Sequence, residues 1–236
     1  SVHTVVSFVF SMTLQPGWHS TIFGPYFVAG AIYSGIAALI IVMLAFRKAY
    51  HLEAYLKPIH FNYLGILLLV MSFLWFYFTF AEYLTGFYGG HPEEMKVFWA
   101  KFSGSHAPYF WTMVVANFAV PMVLMGIRRF RTIKGTLIAS LSVILGMWLE
   151  RFIIIVPTLA TPSLELPHGI YIPSLVEWGL MAGSFALFVL LFLIFTKFFP
   201  IVSIWEVQEG RELGAREVEE RVRSYMPEPP LASGSA

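Results

Sequence analysis

Thr136-Leu-Ile-Ala-Ser-Leu-Ser-Val-Ile-Leu-Gly-Met-Trp-Leu-Glu-Arg-Phe-Ile-Ile-Ile155 is the stretch that decides the fold. It is apolar almost throughout, and its only ionisable side chains, Glu150 and Arg151, stand next to each other. A helix needs about 20 such residues to cross a hydrocarbon core about 30 Å thick. In lipid the backbone must bond to itself, so the segment reads as a spanning helix. Working outward, Thr21–Phe46, Phe61–Tyr83, Tyr109–Ile127 and Ser174–Phe195 have the same character. The expected fold is an all-α integral membrane protein. It would be an antiparallel transmembrane helix bundle of five full spans, preceded by a truncated N-terminal half helix.

Composition agrees. The chain is 58% hydrophobic, 17% aromatic and 12% charged, whereas soluble domains carry about 25% charged residues. The net charge is +1, so no basic face invites nucleic acid. Lipid is the expected surrounding. Cysteine is absent, which excludes disulfides, thiolate metal sites and cysteine-ligated iron–sulfur clusters within these residues.

The chain begins at Ser1, and Val2–Leu14 is apolar but too short to span. It lacks the basic start and small-residue cleavage site of a signal peptide. It reads as the second half of a helix, in a C-terminal fragment of a longer protein; a re-entrant segment is the alternative. Three regions follow: residues 1–14 as the truncated helix, 15–205 as a five-helix bundle, and 206–236 as a polar tail. In the tail, Val207–Met226 is rich in Glu and Arg and reads as a solvated helix, followed by a Pro/Ser/Gly-rich end.

Lys and Arg sort to one side. Arg47, Lys48 and Lys57 follow the first full span, Arg128, Arg129, Arg131 and Lys134 follow the third, and Lys197 ends the last. Loops 84–108 and 156–173 carry only Lys96 and Lys101, offset by Glu93, Glu94 and Glu165. The positive-inside rule puts the basic loops and the C-terminus in the cytoplasm. Trp18, Trp99, Trp111, Trp148 and Trp178 fall toward the outer ends and read as an interfacial belt, with Trp205 at the inner side. Residues 93–102 read as a short amphipathic helix on the outer surface, or as a docking surface.

Without a hydrophobic drive between helices in lipid, small residues mark contact faces. Gly30, Ala31, Ser34 and Gly35 do so in the first full span, Ser140, Ser142 and Gly146 in the fourth, and Gly179 and Gly183 in the last. Pro25 and Pro121 predict kinks.

Ionisable groups inside spans are costly and are functional candidates. Glu82, Glu150, Arg151 and Glu177 qualify. At 1.5 Å per residue, Glu150 and Arg151 lie about 6–8 Å from the outer end of their apolar segment, and Glu177 about 5 Å from the end of its own. Glu82 adjoins the outer end of its segment. The expectation is one outer layer in which three carboxylates surround one arginine. Either these groups pair and lock the bundle, or a spare carboxylate accepts protons. Asn117, mid-span near Pro121, is either a further step inward or a bond between helices.

Heme b in a bundle needs facing histidines deep in the spans. His19, His51, His91, His106 and His168 fall in loops, His60 at an interface and His3 in the short first helix. A b-type cytochrome is therefore not expected, nor a metal bound by this chain.

Ser1-Val-His-Thr-Val-Val-Ser-Phe8 and Pro16-Gly-Trp-His-Ser-Thr-Ile-Phe-Gly-Pro-Tyr-Phe-Val-Ala-Gly-Ala31 resemble the NrfD-like family of polysulfide-reductase membrane subunits. The likeness is greatest to the two large membrane subunits of alternative complex III. Trp148-Leu-Glu-Arg-Phe152, Val156-Pro-Thr158 and Pro173-Ser-Leu-Val-Glu-Trp178 resemble the same subunits, so that most of residues 1–205 is covered. The resemblance implies a subunit of a quinol-oxidising respiratory complex in the bacterial inner membrane. Menaquinol or ubiquinol would be its substrate. An iron–sulfur subunit, a multiheme cytochrome c subunit and a second NrfD-like membrane subunit would be its partners, with clusters and hemes c held by those partners. It also implies proton translocation through the bundle, and a chain matching the second half of its relatives. His3 is then the quinol-binding candidate. Val9 stands where a quinol-binding copy is expected to be acidic, which points toward the other copy. The competing classes are a cofactor-free scaffold subunit of a terminal oxidase and a secondary transporter.

Overall fold

The computed structural model describes residues 2–13, 15–18, 20–53, 55–161, 171–199 and 204–225. Among them all regular structure is helical. The helices are α1 (Val2–Ser11), α2 (Phe23–Ala49), α3 (Pro58–Gly89), α4 (Pro92–Phe102), α5 (Ala107–Val114), α6 (Val120–Gly126), α7 (Ile133–Ala160), α8 (Leu175–Phe198) and α9 (Ile204–Tyr225). A π-helical turn, Val115–Ala119, joins α5 to α6. Five segments are long and apolar enough to span: α2, α3, the continuous α5–α6 rod, α7 and α8. The expected all-helical membrane bundle is therefore found. The chain divides into two compact units, Ser1–Tyr171 and Ile172–Ala236.

In the first unit α2, α3, the α5–α6 rod and α7 pack around Tyr33, Ile40, Leu68, Trp75, Met113 and Val143, all buried. Small residues set the close approaches, as the sequence predicts for two of them. A Cβ on Gly30 would lie 2.9 Å from Met147 Cε, so Gly30 brings α2 against α7. A Cβ on Gly146 would run into the Asn117 side chain, so Gly146 brings α7 against the π turn. Gly65 does the same between α3 and α6, where a Cβ would stand 2.8 Å from Met125 Sδ. Gly35 faces open space.

Prolines fall in α2, in the α5–α6 rod and in α7. Pro25 sits in the first turn of α2, where its missing N–H has no helical acceptor to lose. Pro121 follows the π turn. It leaves the carbonyls of Ala116 and Asn117 short of backbone donors, because a proline has no N–H to offer either one. Side chains supply the bonds. Ser142 donates to the Ala116 carbonyl at 2.9 Å. Tyr33 and Ser72 donate to the Asn117 carbonyl at 2.7 and 3.0 Å. Pro157 lies inside α7, which continues through it, and the Ile154 carbonyl accepts from Trp18 Nε1 at 2.8 Å. Trp18 is thus only 8% exposed. It is a bond between segments rather than the lipid-interface anchor its position suggests.

The ends follow ordinary capping rules. Pro58 opens α3 and Thr132 Oγ1 accepts from the Gly135 N–H at 3.1 Å to open α7. α3 stops at Gly90, whose φ of 62° suits a residue without Cβ. At the basic end Arg47 and Arg131 bond the carbonyls of Leu56 and Met125 at 2.9 and 2.8 Å. In the second unit α8 opens on a capping box between Ser174 and Glu177, with bonds of 2.6 and 3.3 Å.

Candidate functional site

Glu150 is the centre. It lies on the inner face of α7 and is 2% exposed. Its Oε1 accepts from the indole Nε1 of Trp75 on α3 at 2.6 Å. Its Oε2 is buried with no hydrogen-bond partner. Arg151 Nη2 approaches that oxygen only to 4.0 Å, well beyond the roughly 2.7–2.9 Å of a charge-assisted bond. Consecutive residues do not face each other on a helix. Arg151 instead lays its guanidinium 3.9 Å over the Phe27 ring, and its Nη1 is also buried and unbonded. The pair is close but not joined.

Helix α2 builds the opposite wall through Tyr26, Phe27 and Gly30. A Cβ at position 30 would stand 3.6 Å from Glu150 Oε2 and 3.4 Å from Arg151 Nη2, so Gly30 lies directly against both groups. The Tyr26 hydroxyl stands beside the Glu150 carboxyl. Thr79, which donates to the Trp75 carbonyl at 2.9 Å, lies 3.5 Å from the same Tyr26 oxygen. Three helices thus deliver a carboxyl, an indole, a phenol and a guanidinium to one buried spot.

Above it opens a cavity of about 540 Å³. Its wall includes the segment from Thr21 to Phe23, then Tyr26, Glu82, Tyr83, Phe98, Lys101 and Ile154. Ser20 donates to Glu82 Oε2 in a short hydrogen bond. Lys101 on α4 is 6% exposed, with Nζ 5.8 Å from the centre of the Tyr83 ring. Burial pushes its ammonium down to about 8, the nearby Glu82 carboxylate partly opposing the fall. His106 is pushed down too, by burial and then by Lys101. The sequence pattern places α4 on the surface. The helix turns Val97 and Lys101 inward against α3, α5 and α7 and leaves Glu93, Lys96 and Trp99 exposed.

The predicted residues are therefore only partly gathered. Glu150 and Arg151 meet, and Tyr26 lies between Glu150 and the cavity that holds Glu82. Helix α7 runs on to Ala160, ten residues past Glu150, so the carboxyl sits about 15 Å from that end. Likewise α3 continues to Gly89, seven residues past Glu82. Asn117 is fully buried, its Nδ2 3.5 Å from Met147 Sδ and its Oδ1 unbonded. Glu177 belongs to the second unit, where it is a helix cap. His3 is exposed on α1. Sequence reasoning missed Trp75, Tyr26 and Lys101. The one available signal was Trp75 itself, an indole at mid-span rather than at an interface.

Comparison with known proteins decides the family. The family model "Polysulphide reductase, NrfD" matches residues 1–163. The chain belongs to the NrfD family. Among curated NrfD-like relatives, it is 28% identical over 227 residues to an Hdr-like menaquinol oxidoreductase integral membrane subunit from Archaeoglobus fulgidus, covering 87% of this chain and 54% of that one. It is 26% identical over 197 residues to the C subunit of selenate reductase from Mesobacillus selenatarsenatis, covering 79% of this chain and 45% of that one. This NrfD chain spans about half the length of the curated relatives it matches. All of the Glu150 site lies within the matched residues.

Proposed function

We propose that this chain is a membrane subunit of a quinol-oxidising electron-transfer complex and that Glu150 carries protons for it. Family membership and the menaquinol oxidoreductase relative support the first half. The observation that supports the second is a carboxyl held by an indole bond inside a spanning helix, with its other oxygen unbonded. A charged group there is expensive, so the site favours gaining and losing a proton over holding a fixed ion. Arg151, at 4.0 Å, lowers the energy of the ionised state without locking it.

The finer reading follows the resemblance to alternative complex III. Menaquinol or ubiquinol is the substrate. An iron–sulfur subunit, a multiheme cytochrome c subunit and a second NrfD-like subunit surround the chain and carry the clusters and hemes. The basic loops face the cytoplasm across the inner membrane, and the cavity faces outward. Protons move along Asn117, Glu150 with Arg151, and Glu82, with Glu177 at the outer end of the last span. His3, exposed on α1, is the quinol-facing candidate.

Purification of the native complex in mild detergent tests this. Co-purifying iron–sulfur and multiheme c-type partners with quinol oxidation activity are expected. A chain isolated alone, or with a copper–heme oxidase core, contradicts the reading.

A further inference from the structure

Two observations meet at Tyr26. Tyr26 is part of the wall of the 540 Å³ cavity, and its hydroxyl stands beside the Glu150 carboxyl. Glu150 itself is sealed, with Trp75 on one oxygen and Met147, Gly30 and Arg151 packed about the other. The cavity, by contrast, is polar where Ser20, Glu82 and Lys101 line it. It is also roomy enough for several water molecules, at roughly 30 Å³ each.

We propose that this cavity is the aqueous mouth through which Glu150 exchanges protons, with the Tyr26 hydroxyl as the relay between them. The proposal rests on the proton-carrying role given to Glu150 above. In the outward step the Glu150 carboxylic acid O–H breaks and its proton bonds to Tyr26 Oη. At the same time the original Tyr26 O–H breaks and gives its proton to water in the cavity, within reach of Glu82. The phenol ends neutral, as it began, and no electron moves. Rotation of the hydroxyl resets it. Thr79 Oγ1, 3.5 Å from Tyr26 Oη, offers a polar neighbour during that rotation. Lys101, nearly buried in the wall, holds positive charge at the mouth beside Glu82.

The test uses the intact complex in proteoliposomes, comparing Tyr26→Phe with Glu150→Gln. Phenylalanine keeps the ring and removes only the hydroxyl. Tyr26→Phe is expected to lower proton release on the cavity side by about 10²-fold, the scale of losing one proton-transferring group. A second measurement covers a Tyr26→Phe complex that fails to assemble. The chain has no cysteine, so Thr85→Cys, on the cavity wall, gives it a single thiol for a membrane-impermeant maleimide. Labelling from the outer side that slows proton release supports the proposal. Labelling only from the inner side, or outer labelling without effect, overturns it. If Glu150→Gln leaves proton release unchanged, the role of Glu150 falls. If Glu150→Gln blocks release while Tyr26→Phe does not, only the relay falls.

Discussion

Trp75 of α3 donates its indole N–H to Glu150 of α7 at 2.6 Å, while the other oxygen of that buried carboxyl stays unbonded. Trp75→Phe keeps an aromatic ring but strands Oε1. Removing one partner of a buried polar group costs about 1–3 kcal/mol. The detergent-solubilised variant should unfold at lower temperature, and Glu150→Gln should recover little of the loss, since the amide still needs a partner. Equal melting of Trp75→Phe and the unaltered protein would show that the bond contributes nothing.

Two glycines separate space from chemistry. A Cβ on Gly30 meets the flexible end of Met147, whereas a Cβ on Gly146 meets the buried Asn117 amide. Gly30→Ala should be tolerated, because the methionine tip can move. Gly146→Ala should lose about 1–3 kcal/mol, the usual range for overpacking. Thermal unfolding of the two variants side by side checks the order; the reverse order refutes it.

The Pro121 break is coupled to Tyr33. With Pro121 present, Tyr33 supplies a bond to the Asn117 carbonyl that no proline N–H could make. Tyr33→Phe should therefore cost about 1 kcal/mol. In a Pro121→Ala background, where an N–H returns, the same change should cost less. A double-mutant cycle on unfolding measures the difference, and strict additivity would disconnect the two residues.

Lys101 gives a pH signature. Its folded pKa of about 8 lies below the ordinary 10.5. The folded state thus releases this proton more readily than the unfolded state, which binds more protons between those values. Stability should rise as pH increases from about 8 to about 10.5, with the penalty of burying the charge fully present below that window. Lys101→Met should remove the rise. Melting curves across the window provide the check, and an unchanged slope in Lys101→Met would assign the effect elsewhere.

The spans were legible because lipid demands long apolar runs, and charge placement separated the two ends. Helix ends were less legible. α3 and α7 run several residues beyond their apolar cores, so Glu150 lies farther from the end of its helix than from the end of its apolar segment. Glu150 and Arg151 stood out as ionisable residues in an apolar run. Their partners did not, because spans apolar on every side carry no periodicity that fixes which face meets which helix. That is why Trp75 and Tyr26 were invisible as neighbours of Glu150. Lys101 was missed for the opposite reason. Residues 93–102 carry a surface-like pattern, yet α4 turns its lysine inward. Pro121 announced a break, but not that hydroxyls from α2, α3 and α7 would satisfy the carbonyls it leaves.

The most direct measurement is redox-induced infrared difference spectroscopy of the native complex, driven by the quinol oxidation proposed for it. A carboxylic acid C=O band should change on turnover, vanish in Glu150→Gln and persist in Glu82→Gln. The same band surviving in Glu150→Gln would contradict the assignment of Glu150 as the proton-carrying group.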